Sequence, residues 1–265
     1  MSMLIRCGVV VTLVSFVMFG CAGPGKPEAG PCDKAKKVAP CEKAKKAAAP
    51  EPRPTEAEKG MPFGVVWRVD KAPVVDGVIK QDEWGKPLAG QLADNASGKA
   101  VAWATTVWLA YDKDNLYLAF RLDEPEMDEL ICMVTERDGD VWQDDGMEIF
   151  LDPTNTKNED VYYHIMVNAA GVVADRQGAP NSMGLDWVWD AEGIKAKTTR
   201  GADYWTIEMA IPLADMEAKG DQAGKHWAAN FCRTRHGNLM ESAWSSTGPY
   251  SFHAPEKLGH LGFSK

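Results

Sequence analysis

Three carboxylates, Asp144, Asp145 and Glu148, follow closely on Trp142. Two carboxylates at a set separation across a sugar are what a glycosidase needs, one as acid and one as base or nucleophile. Asp144 and Asp145 are neighbours, so on a strand their side chains point to opposite faces and cannot work as such a pair. The chain holds no GxSxG, HExxH, P-loop or dinucleotide-binding fingerprint. These residues therefore point to binding rather than catalysis. The six cysteines are Cys7, Cys21, Cys32, Cys41, Cys132 and Cys232, and none belongs to a CxxC. A zinc ribbon and c-type haem attachment are thereby unsupported. Cys132 and Cys232 either form a bridge or stay as two buried thiols. The 10 Trp residues are candidates for core packing and for stacking surfaces alike.

The elements that must position these groups read as strands. Val101–Asp112 is rich in Val, Thr, Trp and Tyr, and Leu116–Leu122 alternates apolar residues with others. The turn-forming run 112–115 (DKDN) joins them into a hairpin. Further strands are expected at Met147–Leu151, Val161–Ala169, Trp205–Ile211, Trp227–Arg233 and Leu258–Phe263. In Val161–Ala169 the period of two sets Tyr163, Ile165 and Val167 on one face and Tyr162, His164, Met166 and Asn168 on the other. Short helices are expected near Gln81–Trp84 and Leu213–Glu217. Many short strands with frequent turns indicate an all-β domain, an antiparallel β-sandwich of immunoglobulin- or jelly-roll-like type with a few short helices.

The flanking composition sets the domain limits. The apolar run Cys7–Phe19 behind Arg6 is shorter than the roughly 20 residues that a membrane-spanning helix needs. It reads as the core of a signal peptide over residues 1–20. The Gly20-Cys21 pair that follows resembles a bacterial lipobox, with Cys21 as the lipidated residue and the outer membrane as destination. Residues 21–60 are rich in Pro, Ala, Lys and Glu and contain the near-repeat PCDKAKKVA/PCEKAKKAA. Such a segment cannot bury enough apolar surface to fold alone, so it reads as a disordered tether. One domain is expected over 61–265. Of 265 residues, 45% are hydrophobic and 25% charged, and the net charge is -9. Setting aside Arg6 and the tether's 9 basic and 6 acidic residues, the domain keeps 19 basic and 32 acidic ones. A domain so acidic lacks the basic stripe that nucleic-acid binding requires.

Four segments together resemble carbohydrate-binding module family 9, within the wider group of DOMON-like β-sandwiches. They are PVVDGVIKQDEW (Pro73–Trp84), VWLAYDKDNLYL (Val107–Leu118), VWQDDGMEIFLD (Val141–Asp152) and FHAPEKLGHL (Phe252–Leu261). Trp205–Pro212 and Trp244-Ser245 fit as well. The resemblance implies a non-catalytic module that grips a sugar between two aromatic rings while polar groups read its hydroxyls. By it, the aromatics fall at Trp142 and Phe252, the acid at Glu148 and the amide at Asn168. A basic residue of the family is replaced by Met166. Tyr162 and His164 share that face and are expected to supply replacement contacts. The family also implies structural calcium, for which Asp76, Asp82 and Glu83 are the expected contributors. No other cofactor is expected.

Two other readings stand beside this one. In the wider group some members bind haem b, and here Met166 or His164 would be the axial ligand. Alternatively the sandwich binds other secreted proteins as a structural component of the envelope.

Overall fold

A strand forms where side chains of alternate character meet two different environments, and β4 (Asn115–Asp123) shows why these sequences do so here. Leu116, Leu118, Phe120 and Leu122 enter the main core, while Tyr117 and Ala119 lie beneath a second, smaller apolar cluster on the outer face. The computed structural model describes residues 49–158, 161–178 and 189–265. The strands before it are β1 (Phe63–Arg68), β2 (Ala93–Asp94) and β3 (Thr105–Tyr111). Those after it are β5 (Gly146–Asp152), β6 (Tyr163–Asn168), β7 (Val173–Gln177), β8 (Lys195–Arg200), β9 (Tyr204–Pro212), β10 (His226–Arg235), β11 (Met240–Ala243) and β12 (Gly259–Phe263). A single turn of α-helix, α1, covers Gln81–Trp84. The sequence also suggests a helix at Leu213–Glu217, but that segment is a run of turns. The signal peptide, Cys21 and the near-repeat lie outside the described residues.

The strands run in the order β7-β6-β5-β10-β12-β1-β3-β4-β9-β8, with β11 on the flank of β10 and β2 on β11. The sheet is mixed, which corrects the expectation of a purely antiparallel sandwich. The reason lies in β1. Its first four residues pair in parallel with β12, and Trp67 and Arg68 then pair in parallel with β3. One strand thus leaves one layer and joins the other, and every other named pairing is antiparallel. The layers face each other across one core. Ile149, Ile165, Val167 and Phe231 come from one side, and Leu118, Phe120, Ile207 and Met209 from the other. The Phe120 and Phe231 rings meet edge to face at 5.9 Å between centroids.

The segment 69–84 covers the outer face of β3, β4 and β9. Alanines at 110, 119 and 210 leave room there for Trp84. Buried Glu208 accepts the N–H of Asp76 at 3.0 Å, that of Gly77 at 2.7 Å and the Trp84 Nε1–H at 2.7 Å. Gly77 takes φ +86°, and a Cβ there would lie 2.6 Å from Thr199 Oγ1, so only glycine fits. The motif from Pro73 to Trp84 is therefore a covering strap tied to one carboxylate. Its acids do not converge on one another. Lys80 bonds Asp76 at 2.8 Å and lies 3.6 Å from Glu83, and Asp76, Asp82 and Glu83 form no ligand group among the described residues.

The tether ends earlier than composition suggests. Glu58, within a 3-10 turn at Glu56–Glu58, is buried. It lies 2.8 Å from His226 Nδ1 and 3.4 Å from His260 Nδ1, and accepts an N–H from Asn155 at 3.2 Å. The folded unit thus takes in Thr55–Gly60. Among the described residues no helix is long and apolar enough to cross a membrane.

Candidate functional site

On the outer face of β7-β6-β5-β10-β11, small residues and a cross-over segment decide what stays open. Phe150, Tyr162, Ala228, Cys232 and Ala243 are roofed by Phe252 and Leu258 of the segment that returns from β11 to β12. Beyond that roof the face opens into a pocket of about 420 Å³. Glu148, His164, Met166, Arg176, Thr234 and Glu241 rise from the strands to line it, while Trp142, His236 and Ser251–His253 form its walls. This volume lies within the usual range for small-ligand sites.

Trp142 owes its position to its neighbours. A 3-10 turn at Val141–Gln143 sends adjacent side chains in different directions. Val141 goes inward against Met166 and Ala174, and Trp142 is left 51% exposed. His236 Nε2 lies 3.2 Å from the Trp142 carbonyl and steadies the turn. Asp144 and Asp145 hold the surrounding loops. Asp144 accepts the N–H groups of Met133 and Val134 and the Asn168 amide, at 2.8 to 2.9 Å. Asp145 accepts the N–H groups of Ile131 and His236. Both are buried, Asp145 on backbone donors and Asp144 on backbone donors and the Asn168 amide.

Glu148 and His164 stand on adjacent strands as a diagonal pair, two residues out of direct register, with His164 Nε2 2.8 Å from Glu148 Oε2. The imidazole stacks on Phe150 at 4.4 Å between centroids. His253 meets His164 edge to face at 4.8 Å, and its Nδ1 lies 2.8 Å from the Tyr162 hydroxyl. Burial, reinforced by the nearby His164, lowers the His253 pKa to about 4 and keeps that ring neutral at neutral pH. Burial also lowers the Arg176 pKa. Tyr250, 97% exposed, sits immediately before the Ser251 that lines the wall.

The structure thus brings together Trp142, Glu148, His164, Met166 and Phe252 of the expected set, and alters the parts they play. Asn168 is not in the pocket. Its side chain bonds Val134, Asp144, Ala170 and Val172, because that end of β6 tucks under the 131–134 loop. Tyr162 is buried beneath Phe252, with its hydroxyl on His253 of the pocket wall. Phe252 itself is 7% exposed, so Trp142 and Phe252 do not form a clamp of two open rings, and Trp142 is the open member of the pair. Cys132 and Cys232 are free. Cys132 packs against the inter-layer core, while Cys232 faces outward under Phe252, so the sheet separates them. Arg176, His253, Thr234, His236 and Glu241 were not anticipated. Arg176 pairs with His164 across β6 and β7, a register that its local sequence does not contain.

The haem alternative meets a geometric obstacle. Met166 is packed among Val141 and Ala174, and the His164 and His253 rings sit too close together to admit a porphyrin between them.

The sequence matches the family described as carbohydrate family 9 binding domain-like over residues 75–265. The chain belongs to this family. No curated protein matches it. Among solved structures it is similar to a candidate carbohydrate-binding protein from Bacteroides uniformis, at 19% identity and TM-score 0.60, covering 77% of this chain and 99% of that one. It is also similar to a family 9 module from Caldicellulosiruptor kristjanssonii. The cellotriose complex of that module aligns at 17% identity and TM-score 0.57, over 76% of this chain and 93% of that one. Its glucose complex aligns at 16% identity and TM-score 0.54, over 76% and 95%. At these identities the likeness concerns the fold.

Proposed function

We propose that the domain is a non-catalytic carbohydrate-binding module that takes a short stretch of glycan into the pocket beside Trp142. The observation that supports this most is the exposed Trp142 ring at the edge of a pocket whose floor, Met166 apart, is polar and runs from buried His164 and Arg176 to exposed Glu241. The C–H face of a pyranose packs on an aromatic ring, and the polar floor pairs with its hydroxyls. Glu148 and Glu241 accept hydroxyl protons, Arg176 donates, and His164 and Thr234 can do either. Asp144 and Asp145 are engaged by backbone N–H groups and, for Asp144, the Asn168 amide, which agrees with binding without hydrolysis. Family membership and the sugar complexes of a structurally similar module point the same way.

Because Phe252 is covered, the sugar is held on one ring face rather than between two, and hydroxyl contacts carry more of the selectivity. We further propose that the module is exported and held at the bacterial envelope, at the outer membrane, by lipid on Cys21. The chain between that residue and Thr55 would act as a spacer. The experiment is a titration of the purified chain with cello-, xylo-, manno- and pectic oligosaccharides, followed by Trp fluorescence, beside Trp142→Ala. Saturable binding lost in the variant supports the proposal. A flat response to every oligosaccharide refutes it and leaves protein binding as the reading to pursue.

A further inference from the structure

Glu148, His164 and His253 come from β5, β6 and the loop after β11, yet their ligand atoms all lie within 4.8 Å of one another. Two imidazoles and a carboxylate are a donor set for zinc and its neighbours in the first transition row, whereas calcium and magnesium require a shell of oxygens. We propose that these three side chains bind one divalent transition-metal ion, of the zinc, cobalt and nickel class, at the floor of the pocket.

The surroundings fit this role. His253 Nδ1 is engaged with the Tyr162 hydroxyl, which leaves Nε2 as the ligand atom and fixes the ring from behind, as outer partners of metal-bound histidines do. Zinc bonds of about 2.0–2.2 Å in a tetrahedron set donor atoms roughly 3.3 Å apart. Glu148 and His164, now 2.8 Å apart, need open only slightly. His253, carried on a loop, must close by about 1–2 Å to meet such bonds. Three protein donors leave at least one position open toward the pocket. Among charged side chains lining the same pocket, Glu241 favours the cation and Arg176 opposes it, so an affinity below that of a buried structural zinc is expected. This inference does not depend on the sugar reading, because it is tested without sugar.

The test is titration of the metal-stripped full chain with cobalt(II) chloride, following the visible d–d bands, then displacement with zinc chloride. One equivalent should saturate bands of the intensity expected for four or five ligands, and zinc should abolish them. His253→Ala and Glu148→Gln should each weaken binding at least tenfold. Tyr162→Phe should weaken it by about tenfold through the orientation of His253. His253 lies in a loop, so its variant retains the fold and decides the matter if Glu148→Gln does not, with circular dichroism as the check. Absence of saturable bands, equal binding by the His253→Ala protein, or thiolate charge-transfer bands that assign the cobalt to cysteines would each overturn the proposal.

Discussion

Replacing Glu58 with Gln should destabilise the domain in a manner that depends on pH. Burial alone would raise the pKa of this carboxyl. The Thr55 backbone N–H, together with the hydrogen bond and charge of His226, outweighs that, and the folded value falls from 4.5 to about 2. A depressed folded pKa stabilises the native state above the unfolded value, and the contribution is lost as pH falls toward the folded one. The difference corresponds to about 3 kcal/mol at pH 7 and about 1 kcal/mol at pH 3, at about 1.4 kcal/mol per pKa unit. His260 and Lys157 also face this carboxyl. Burial and the nearby Lys157 charge lower the His260 pKa, so that residue too favours folding at higher pH. Urea unfolding of the chain and of Glu58→Gln, followed by Trp fluorescence at both pH values, measures the effect. The stability gap between the two proteins should shrink by about 2 kcal/mol from pH 7 to pH 3. A gap of under 0.5 kcal/mol at pH 7, or one equal at both pH values, would refute the reasoning. It would also return residues 55–60 to the tether.

Three further outcomes follow from buried polar groups. Glu208→Ala leaves three N–H donors of the 69–84 strap without their acceptor. It should cost about 2–4 kcal/mol and speed amide exchange in the strap well before the rest of the domain, as read by hydrogen–deuterium exchange. Glu124 accepts from Arg235 at 2.6 and 3.0 Å and from Arg233 at 3.3 Å, all three side chains being buried. Glu124→Ala should cost about 3–5 kcal/mol in urea unfolding, because buried Arg233 loses its counter-charge and Arg235 is left with Glu126 alone, at 2.6 Å. Thiol titration should find Cys132 and Cys232 reduced, with Cys232 unreactive until the protein is denatured, since burial raises its pKa well above the ordinary thiol value.

How much of this was legible in the residues depended on whether a local pattern existed. β3, β4, β5, β6, β9, β10 and β12 announce themselves by alternation or by apolar runs, and the faces of β6 follow directly from its period of two. β8 (Lys195–Arg200) escaped notice because its sequence, KAKTTR, carries no apolar period. Its lysines and arginine suit an edge strand that must not pair with another chain. β1 has apolar residues, but its parallel pairing with β12 and β3 is a long-range property that no window of sequence contains. The site divides in the same way. Trp142 and Glu148 lie in one recognisable segment, and the register of β5 fixes their relation to His164. His253 reaches the pocket through the fold of the return segment, and Asn168 is drawn out of it by the 131–134 loop. Both depend on loop paths rather than periodicity. The strap acids mislead for a related reason. Asp76 and Glu83 are engaged locally by Lys80, four and three residues away, whereas the tie of the strap's N–H donors to Glu208 is a tertiary contact.

The most direct measurement of the central claim is the oligosaccharide titration with Trp142→Ala, extended by Phe252→Ala. With Trp142 open and Phe252 covered, the account predicts saturable binding that Trp142→Ala abolishes, or weakens by at least tenfold. Phe252→Ala should act through folding stability, and affinity measured on the folded fraction should change by no more than about threefold. Equal loss of affinity in both variants, with stability unchanged, would contradict the single-ring platform. Binding that is indifferent to Trp142 would remove the pocket from the carbohydrate-binding account altogether.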